Sequence, residues 1–171
     1  MSIEIKELLE PNEELNLFML ECKQLNFVNN ISLDVMHFYK VIEEGGWWWA
    51  IWDDNSIIGI YGTRPFRDGY KVWYRAASIE SKKGHGLSFY QRAWQFDVLE
   101  YDLKKVEKDK NLYIFANKNN PNPLYNRTGK MFPRHVKEGF LEKYWEEHIN
   151  GFDQLIGLVN RNNYETIRRK S

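Results

Sequence analysis

The segment VWYRAASIESKKGHGLSF, residues 72–89, decides the fold, because an apolar strand pattern changes there into a helical pattern across two glycines. Beyond the glycines, apolar residues recur at the spacing of one helix face: Leu87, Tyr90, Trp94, Val98 and Tyr101. A helix that directly follows a strand begins with N–H groups that lack partners, and its macrodipole favours a bound anion there. Lys82 and Lys83 add positive charge, so the segment predicts an anion site suited to a pyrophosphate.

Two better-known phosphate motifs do not fit the glycine segment. A Walker A loop needs a lysine and then Ser or Thr after its second glycine, where this chain has Leu87 and Ser88. A dinucleotide-binding fingerprint needs a third glycine near position 89, which is Phe89. A second reading stays open from the residues alone: the glycines serve only backbone freedom in a tight connection, and the lysines serve only solubility.

The remaining patterns predict the element order β-α-α-β-β-β-α-β-α-β-β in a single α/β domain over residues 1–171. Strands are predicted near residues 3–8, 47–52, 57–64, 70–79, 112–116, within 139–149 and within 152–159. Helices are predicted from the N-cap candidate Asn12, from the N-cap candidate Ser32 to a stop at Gly45 and Gly46, from Leu87, and over 123–129. A turn is predicted at residues 67–69. A strand-helix-strand crossover pairs its strands in parallel, so we expect a mixed, mostly antiparallel sheet with helices on both faces.

Composition narrows the function classes. The 24 basic and 24 acidic residues cancel, so no global field attracts nucleic acid or anionic lipid. The longest apolar run, residues 47–52, is far shorter than the roughly 20 residues of a membrane span.

The amino end lacks the apolar region of a signal peptide, and the one cysteine cannot form an intrachain disulfide. The four histidines show no metal-ligand spacing. We expect a soluble, cytoplasmic protein without a metal site, and without nucleic-acid or membrane partners.

Two local patterns, taken with the element order, resemble the GNAT superfamily of acyl-CoA N-acyltransferases. The family's loop after the fourth strand reads R/Q-x-x-G-x-G/A, and residues 81–86, SKKGHG, are similar to it. The family's fourth helix carries L-Y-x-x-x-G, which residues 124–129, LYNRTG, match. The resemblance implies a sheet whose central strands splay apart to form a cofactor cleft.

The resemblance also implies a cofactor, acetyl-CoA or a related acyl-CoA, and residues that bind it. Backbone groups of Ala77, Ser78 and Ile79 would pair with the pantetheine arm. Backbone N–H groups would hold the pyrophosphate, and they belong to Lys82, Lys83, Gly84, His85, Gly86 and Leu87. Asn117 or Asn120 would bond to the far side of the cofactor.

The chemistry that the resemblance implies is direct attack of an amine on the thioester. Tyr125 is the candidate general acid for the departing thiolate, and Glu80 is the candidate base for the amine proton. Each has an ordinary alternative: Tyr125 as a packed aromatic on a helix, and Glu80 as a solvated carboxylate at a strand end. By family analogy the acceptor side of the cleft includes Trp47, Arg64, Phe66 and Trp145. These aromatic rings can equally be core residues.

Two functions therefore stay open. The first is an N-acyltransferase that acts on a small-molecule or peptide amine. The second is a non-catalytic module of the same architecture that binds CoA or another ligand, since Ser81 stands where the family has arginine or glutamine. The acceptor, the acyl chain length and the oligomeric state, with a homodimer as one option, are not decided by the sequence.

Overall fold

The computed structural model describes residues 3–24, 35–77, 98–118 and 132–164. The seven strands and the first three helices follow the predicted order, and the mixed α/β fold class is confirmed. The strands are β1 Ile3–Glu7, β2 Trp47–Asp53, β3 Ser56–Phe66, β4 Gly69–Ala77, β5 Asn111–Asn117, β6 Leu141–Ile149 and β7 Phe152–Val159. The helices are α1 Glu13–Gln24, α2 Val35–Glu43, α3 with described residues 98–105, α4 Phe132–Glu138, and a final helical turn at 161–164.

The seven strands form one hydrogen-bonded order, β1-β2-β3-β4-β5-β7-β6. β1 with β2, β2 with β3, β5 with β7, and β6 with β7 pair antiparallel. β4 and β5 pair in parallel, as the crossover between them predicts. The mixed, mostly antiparallel sheet is therefore confirmed.

Helix ends follow the local chemistry that predicted them. The Leu15 N–H donates to Asn12 Oδ1 at 2.8 Å, so Asn12 caps α1. At the end of α2, Gly45 has φ +96°, and the Gly46 N–H donates to the Val41 carbonyl at 2.8 Å. This left-handed closure is the reason for glycine at the helix end. The predicted N-cap Ser32 lies outside the described residues.

Helix α4 is an element that the sequence patterns did not predict. Phe132 and His135, three residues apart, form its buried side, and Pro133 occupies its first turn, where a proline is tolerated. The pattern is short, and its two buried positions stand among three charged residues, Arg134, Lys137 and Glu138, so the sequence here is typical of a polar loop. The predicted helix over 123–129 lies outside the described residues.

The chain divides into two compact units. Unit 1 comprises Met1–Pro65 and Trp73–Asp102, and unit 2 comprises Phe66–Val72 and Leu103–Ser171. In unit 2 the core includes Leu112 and Ile114 of β5 and Phe132 of α4. The Arg161 guanidinium donates to the carbonyls of Val106 and Lys110, at 3.0 and 3.2 Å, and holds the final turn to the end of α3.

The core of unit 1 explains the three consecutive tryptophans. Successive strand residues point to opposite faces of a sheet. Trp48, fully buried, stacks on Phe38 of α2 with ring centroids 5.2 Å apart, and its indole N–H donates to the Phe38 carbonyl at 3.0 Å. Trp47 and Trp49 point to the other face, so β2 has large buried rings on both sides.

Asp102 of α3 accepts hydrogen bonds from that second face. Its Oδ1 accepts the indole N–H groups of Trp47 and Trp49, each at 2.7 Å. The Thr63 hydroxyl of β3 donates to the same carboxylate at 3.1–3.2 Å. Asp102 and Thr63 are both wholly buried. A buried carboxylate is tolerated only when its oxygens are hydrogen-bonded, so these donors fix the end of α3 against β2 and β3.

Replacing Asp102 with alanine is expected to lower the free energy of unfolding by about 3 kcal/mol, because each buried donor left without an acceptor costs about 1–3 kcal/mol. Urea unfolding followed by tryptophan fluorescence measures the change. Asp102→Asn, which keeps one acceptor oxygen, should lose less. The exposed Lys105→Ala on the same helix should stay within about 0.5 kcal/mol of wild type. Wild-type stability in Asp102→Ala would show that this network does not hold unit 1 together.

Candidate functional site

The parallel pair of β4 and β5 lies at the centre of the strand order and joins Gly69–Val72 to Asn111–Ile114. Its first pair is unusually close: a Cβ on Gly69 would lie 1.8 Å from the Asn111 carbonyl oxygen. No side chain fits there, so the start of the pair requires glycine.

The strand register places two rows of side chains on one face of unit 2. The first row runs Lys71, Tyr113, Leu158, Lys143, and the second runs Phe115, Ile156, Trp145. Rows two residues apart along a strand share a face. Phe66, the last residue of β3, packs on the same group. We name the rings of Phe66, Tyr113, Phe115 and Trp145 the aromatic face.

The rings of the aromatic face meet edge to face. Phe66 lies 5.4 Å from Tyr113 and 5.1 Å from Phe115, and Tyr113 lies 6.1 Å from Trp145, centroid to centroid and near 90°. Such pairs are favourable because the positive ring edge meets the negative ring face. Tyr113 is buried while Phe66, Phe115 and Trp145 are half-buried, so the face presents partly exposed aromatic surface.

Three cations of unit 2 lie over these rings. The Lys71 ammonium is 4.9 Å from the Phe66 centroid and 4.8 Å from the Phe115 centroid. The Arg67 guanidinium lies 4.7 Å from Phe66. The Lys143 ammonium lies 5.5 Å from the ring of Trp145. Each distance is within the range of cation–π attraction.

Asp68 and Glu147, two carboxylates of unit 2, are engaged by donors of the same unit. Asp68, in the turn between β3 and β4, accepts the Tyr113 hydroxyl at 2.5 Å and the Asn111 side-chain N–H at 2.8 Å. The bond from Tyr113 is the main cause that lowers the pKa of Asp68. Burial first, and then this bond, raise the pKa of Tyr113. The Tyr113 hydroxyl therefore stays a proton donor at neutral pH.

Glu147 of β6 is the second engaged carboxylate. Arg67 donates to both of its oxygens, and the Trp145 indole N–H donates to Oε1 at 2.8 Å. The bond from Arg67, followed by that from Trp145, lowers the pKa of Glu147 to about 2. Arg67 thus ties the β3–β4 turn to β6 across the aromatic face.

The four predicted acceptor-side residues fall in different units. Phe66 and Trp145 both belong to the aromatic face, where each ring contacts Tyr113. Trp47, in unit 1, is buried and donates its indole N–H to Asp102. Arg64, also in unit 1, forms an ion pair with Glu44.

Of the predicted cofactor and catalytic residues, the structure describes only the backbone of two. Ala77 is the last residue of β4, and Asn117 is the last residue of β5, paired with Gln154 of β7. The others lie outside the described residues: Ser78, Ile79, Glu80, Lys82, Lys83, Gly84, His85, Gly86, Leu87, Asn120 and Tyr125.

Two residues of the aromatic face, and two that contact it, were not predicted as site residues from the sequence. Tyr113 and Phe115 alternate within LYIFA, which is a readable sign that they share one strand face. No sequence pattern predicts the position of Lys71, because it lies beside Tyr113 only through the parallel register of β4 and β5. The sequence predicts only that Asp68 lies in a turn. Its contact with Tyr113 depends on the fold.

Two further features, a membrane-spanning helix and a metal-binding group, are absent from the described residues. No helix within the described ranges has the length and apolar composition that crossing a membrane requires. In the same parts of the chain, no three side chains of His, Cys, Asp or Glu form a group suited to a metal ion. The predicted cytoplasmic location stays a prediction.

Comparison with solved structures shows the fold. A probable acetyltransferase of the GNAT family from Chromobacterium violaceum superposes with a TM-score of 0.62 over 96% of this chain and 91% of its own, at 9% identity. This chain has the GNAT fold. An N-acetyltransferase from Staphylococcus aureus Mu50 gives a TM-score of 0.59 at 14% identity, over 94% and 98% of the two chains.

A third GNAT-fold structure carries a ligand. The GNAT-family acetyltransferase from Elizabethkingia anophelis, with acetyl-CoA bound, gives a TM-score of 0.51 at 14% identity, over 92% of this chain and 97% of that one. No protein-family model and no curated protein matches the sequence. At these identities the likeness establishes the fold and leaves the activity to be tested.

The Arg67–Glu147 contact predicts a pH dependence of stability. The pKa of Glu147 is lower in the folded protein than its ordinary value of 4.5, so the contact stabilises the fold above about pH 4.5. That stabilisation is lost as pH falls from there towards 2. Because the pair is partly exposed, the effect at pH 7 is expected to be below about 1 kcal/mol.

Melting temperatures measured from pH 7 down to the acid limit test this expectation. Glu147→Gln should melt lower than wild type at pH 7 and converge with it in acid. Glu142→Gln, an exposed carboxamide variant on the same strand, should track the wild-type curve. A constant gap between Glu147→Gln and wild type at every pH would contradict the assignment.

Proposed function

We propose that this protein is an N-acyltransferase that moves an acetyl or short acyl group from acyl-CoA to a small-molecule or peptide amine. One observation carries the proposal. The chain has the GNAT fold, and its β4 ends at Ala77, directly before SIESKKGHG, the sequence that is similar to the family's glycine loop. The acetyl-CoA bound to a protein of the same fold supports the choice of cofactor.

The described backbone fits an acyl-CoA in one testable respect. β4 remains extended through Ala77, and an extended strand end can offer N–H and C=O groups to a pantetheine amide. In the proposal Ser78 and Ile79 continue this role, and Asn117 or Asn120 binds the other side of the cofactor.

The glycine segment is proposed to hold the pyrophosphate. Gly84 and Gly86 carry no Cβ, so a phosphate can approach their N–H groups closely. The same role is assigned to the neighbouring backbone N–H groups, those of Lys82, Lys83, His85 and Leu87. The two lysines add the charge that Ser81, in place of arginine or glutamine, does not supply.

Transfer needs two proton movements. The neutral amine nitrogen forms a bond to the thioester carbonyl carbon, the carbon–sulfur bond breaks, and an amide and a thiol result. Glu80 is proposed to take the amine proton, directly or through water, and Tyr125 to give its proton to the leaving sulfur. An acyl-CoA supplies the activated carbonyl for this reaction.

The acceptor is proposed to contact the aromatic face through Phe66 and Trp145, whose rings are half-buried. Trp47 and Arg64 stay proposals from the resemblance alone, since Trp47 is buried against Asp102 and Arg64 is paired with Glu44.

A second candidate is a module of the same fold that binds CoA or another ligand without transfer. Ser81 favours it, because the loop lacks the family's usual arginine or glutamine at that position. The two candidates differ in whether an amine is consumed.

Acetyl-CoA is expected to raise the melting temperature of the full-length protein, because a ligand that binds only the folded state at a hundredfold excess over its Kd adds about 2.7 kcal/mol. The measurement is a thermal melt with and without acetyl-CoA, followed by release of free thiol in the presence of a panel of amines. Absence of a shift at millimolar acetyl-CoA would contradict the transferase and a module that binds CoA.

Tyr125→Phe separates transfer from binding. It should keep the acetyl-CoA shift while amine-dependent thiol release falls about 100-fold, since general acid catalysis contributes at least that factor. Tyr144→Phe, an exposed tyrosine of β6, is the matched control and should retain wild-type rates. A shift without thiol release in the wild type would establish the non-catalytic module.

A further inference from the structure

Strand β6 is the last strand in the sheet order and pairs with β7 on one side. Among the described residues, no strand pairs with its other side. A sheet edge of this kind presents a row of backbone N–H and C=O groups to which another strand can bond. β6 has 9 residues, whereas strands average about five to six, so the edge is long.

Proteins commonly block such an edge with a proline, with a bulge or with a very short strand. β6 contains no proline, and its register shift against β7 lies at its beginning, between Leu141 and Lys143. From Lys143 to Ile149 the pairing with β7 is regular. The protection that remains is charge, so the charged residues of β6 decide which strand can bond to the edge.

A second copy of β6 can pair with the first in only a few registers. A two-fold axis makes the strands antiparallel and sets one residue opposite its own copy, because two kinds of residue pair alternate along an antiparallel ladder. Like charges directly opposite each other are destabilising. Centres at Lys143, Glu146 or Glu147 would each place a charge opposite itself. A centre at Tyr144 would bring Glu142 beside Glu146, and centres nearer the strand ends would pair only a short stretch.

A centre at Trp145 leaves no like charges opposite each other. On the face that carries Trp145, it would set Lys143 opposite Glu147 of the other copy, and symmetry would repeat this pair. The Lys143 ammonium lies 5.5 Å from the Trp145 ring centroid, so it is already close to the axis. Glu147 accepts bonds from Arg67 and Trp145, and a carboxylate has acceptor sites beyond those that these donors use.

The aromatic ring at the centre favours the same register. Trp145 is half-buried within its own chain, so pairing would cover more of its surface. Its ring would meet its own copy across the axis, and aromatic cross-strand pairs are favourable.

The other face of β6 also fits a centre at Trp145. Tyr144 would lie opposite Glu146, and because Tyr144 is exposed, its hydroxyl can donate to that carboxylate. Glu142, at the register shift, would come close to His148, with which it can share a hydrogen bond. Both faces therefore favour one and the same register.

We propose that two copies of this protein associate through β6, paired antiparallel about a two-fold axis at Trp145, so that their sheets join edge to edge. The occupant of the open edge is then a second copy of the same strand. This inference concerns assembly, and it holds whether or not the protein transfers an acyl group.

A charge exchange between two variants tests the pairing of Lys143 with Glu147. Lys143→Glu alone, or Glu147→Lys alone, places like charges opposite each other twice in a homodimer. An equimolar mixture of the two variants restores both opposite-charge pairs in a heterodimer. Sedimentation equilibrium of the full chain measures the dissociation constant in each case.

The wild type is expected to form a dimer, and each variant alone should dissociate at least about tenfold more readily. The mixture should recover most of the wild-type affinity, which a variant that merely misfolds cannot do. Lys108→Glu is the control, because it makes the same change of charge at an exposed lysine outside β6. It should associate like the wild type.

A cysteine cross-link tests the register. The one native cysteine is replaced by Cys22→Ser, so that each variant carries a single thiol. Diamide should oxidise Trp145→Cys to a disulfide-linked dimer, because residues directly opposite lie about 4.5–5.5 Å apart. Tyr144→Cys and Glu146→Cys should stay largely uncross-linked, since each would lie two residues out of register from its own copy, beyond the roughly 7 Å between Cα atoms that a disulfide allows.

Three results would overturn the inference. The first is a wild-type protein that stays monomeric at millimolar concentration. The second is a dimer whose dissociation constant Lys143→Glu leaves unchanged, or whose loss the mixture does not restore. The third is cross-linking at Tyr144→Cys or Glu146→Cys but not at Trp145→Cys, which would show a dimer of another register.

Discussion

The close approach of Gly69 to the Asn111 backbone is the constraint on which unit 2 depends. It allows the only parallel ladder described in this chain to begin directly after the β3–β4 turn. From that point the register follows, and it sets Lys71 beside Tyr113 in a row that continues through Leu158 of β7 to Lys143 of β6. The turn itself is then held by Asp68, whose bond from Tyr113 exists only in this register.

In unit 1 the main constraint is the burial of three neighbouring indole rings. Strand alternation sends Trp48 to one face and its two neighbours to the other. Each indole has a polar N–H that must find an acceptor when buried. The Phe38 carbonyl serves Trp48, and the carboxylate of Asp102 serves Trp47 and Trp49. One acidic residue on a helix therefore makes an otherwise costly strand sequence compatible with burial.

The features that could be predicted from the sequence are those that depend on neighbouring residues. The caps at Asn12 and Gly45, the turn at Arg67–Asp68 and the parallel β4–β5 pair all follow from patterns within a few residues or from the crossover rule. Contacts between segments that are distant in the sequence could not be predicted. Asp102 reads as one more polar residue on a helix, and its partners lie 39–55 residues away in sequence. The aromatic face was half anticipated, because the family resemblance named Phe66 and Trp145 for the acceptor side, while the position of Lys71 depends on the register.

The proposed function puts the chemistry at the carboxyl end of β4, directly before a sequence with two glycines and two lysines. Hydrogen exchange read by mass spectrometry, with and without acetyl-CoA, tests this placement most directly. Bound acetyl-CoA is expected to slow exchange most in peptides covering residues 77–87, because their N–H groups would then be bonded to the cofactor. Unchanged exchange across residues 77–87 in the presence of bound acetyl-CoA would contradict it.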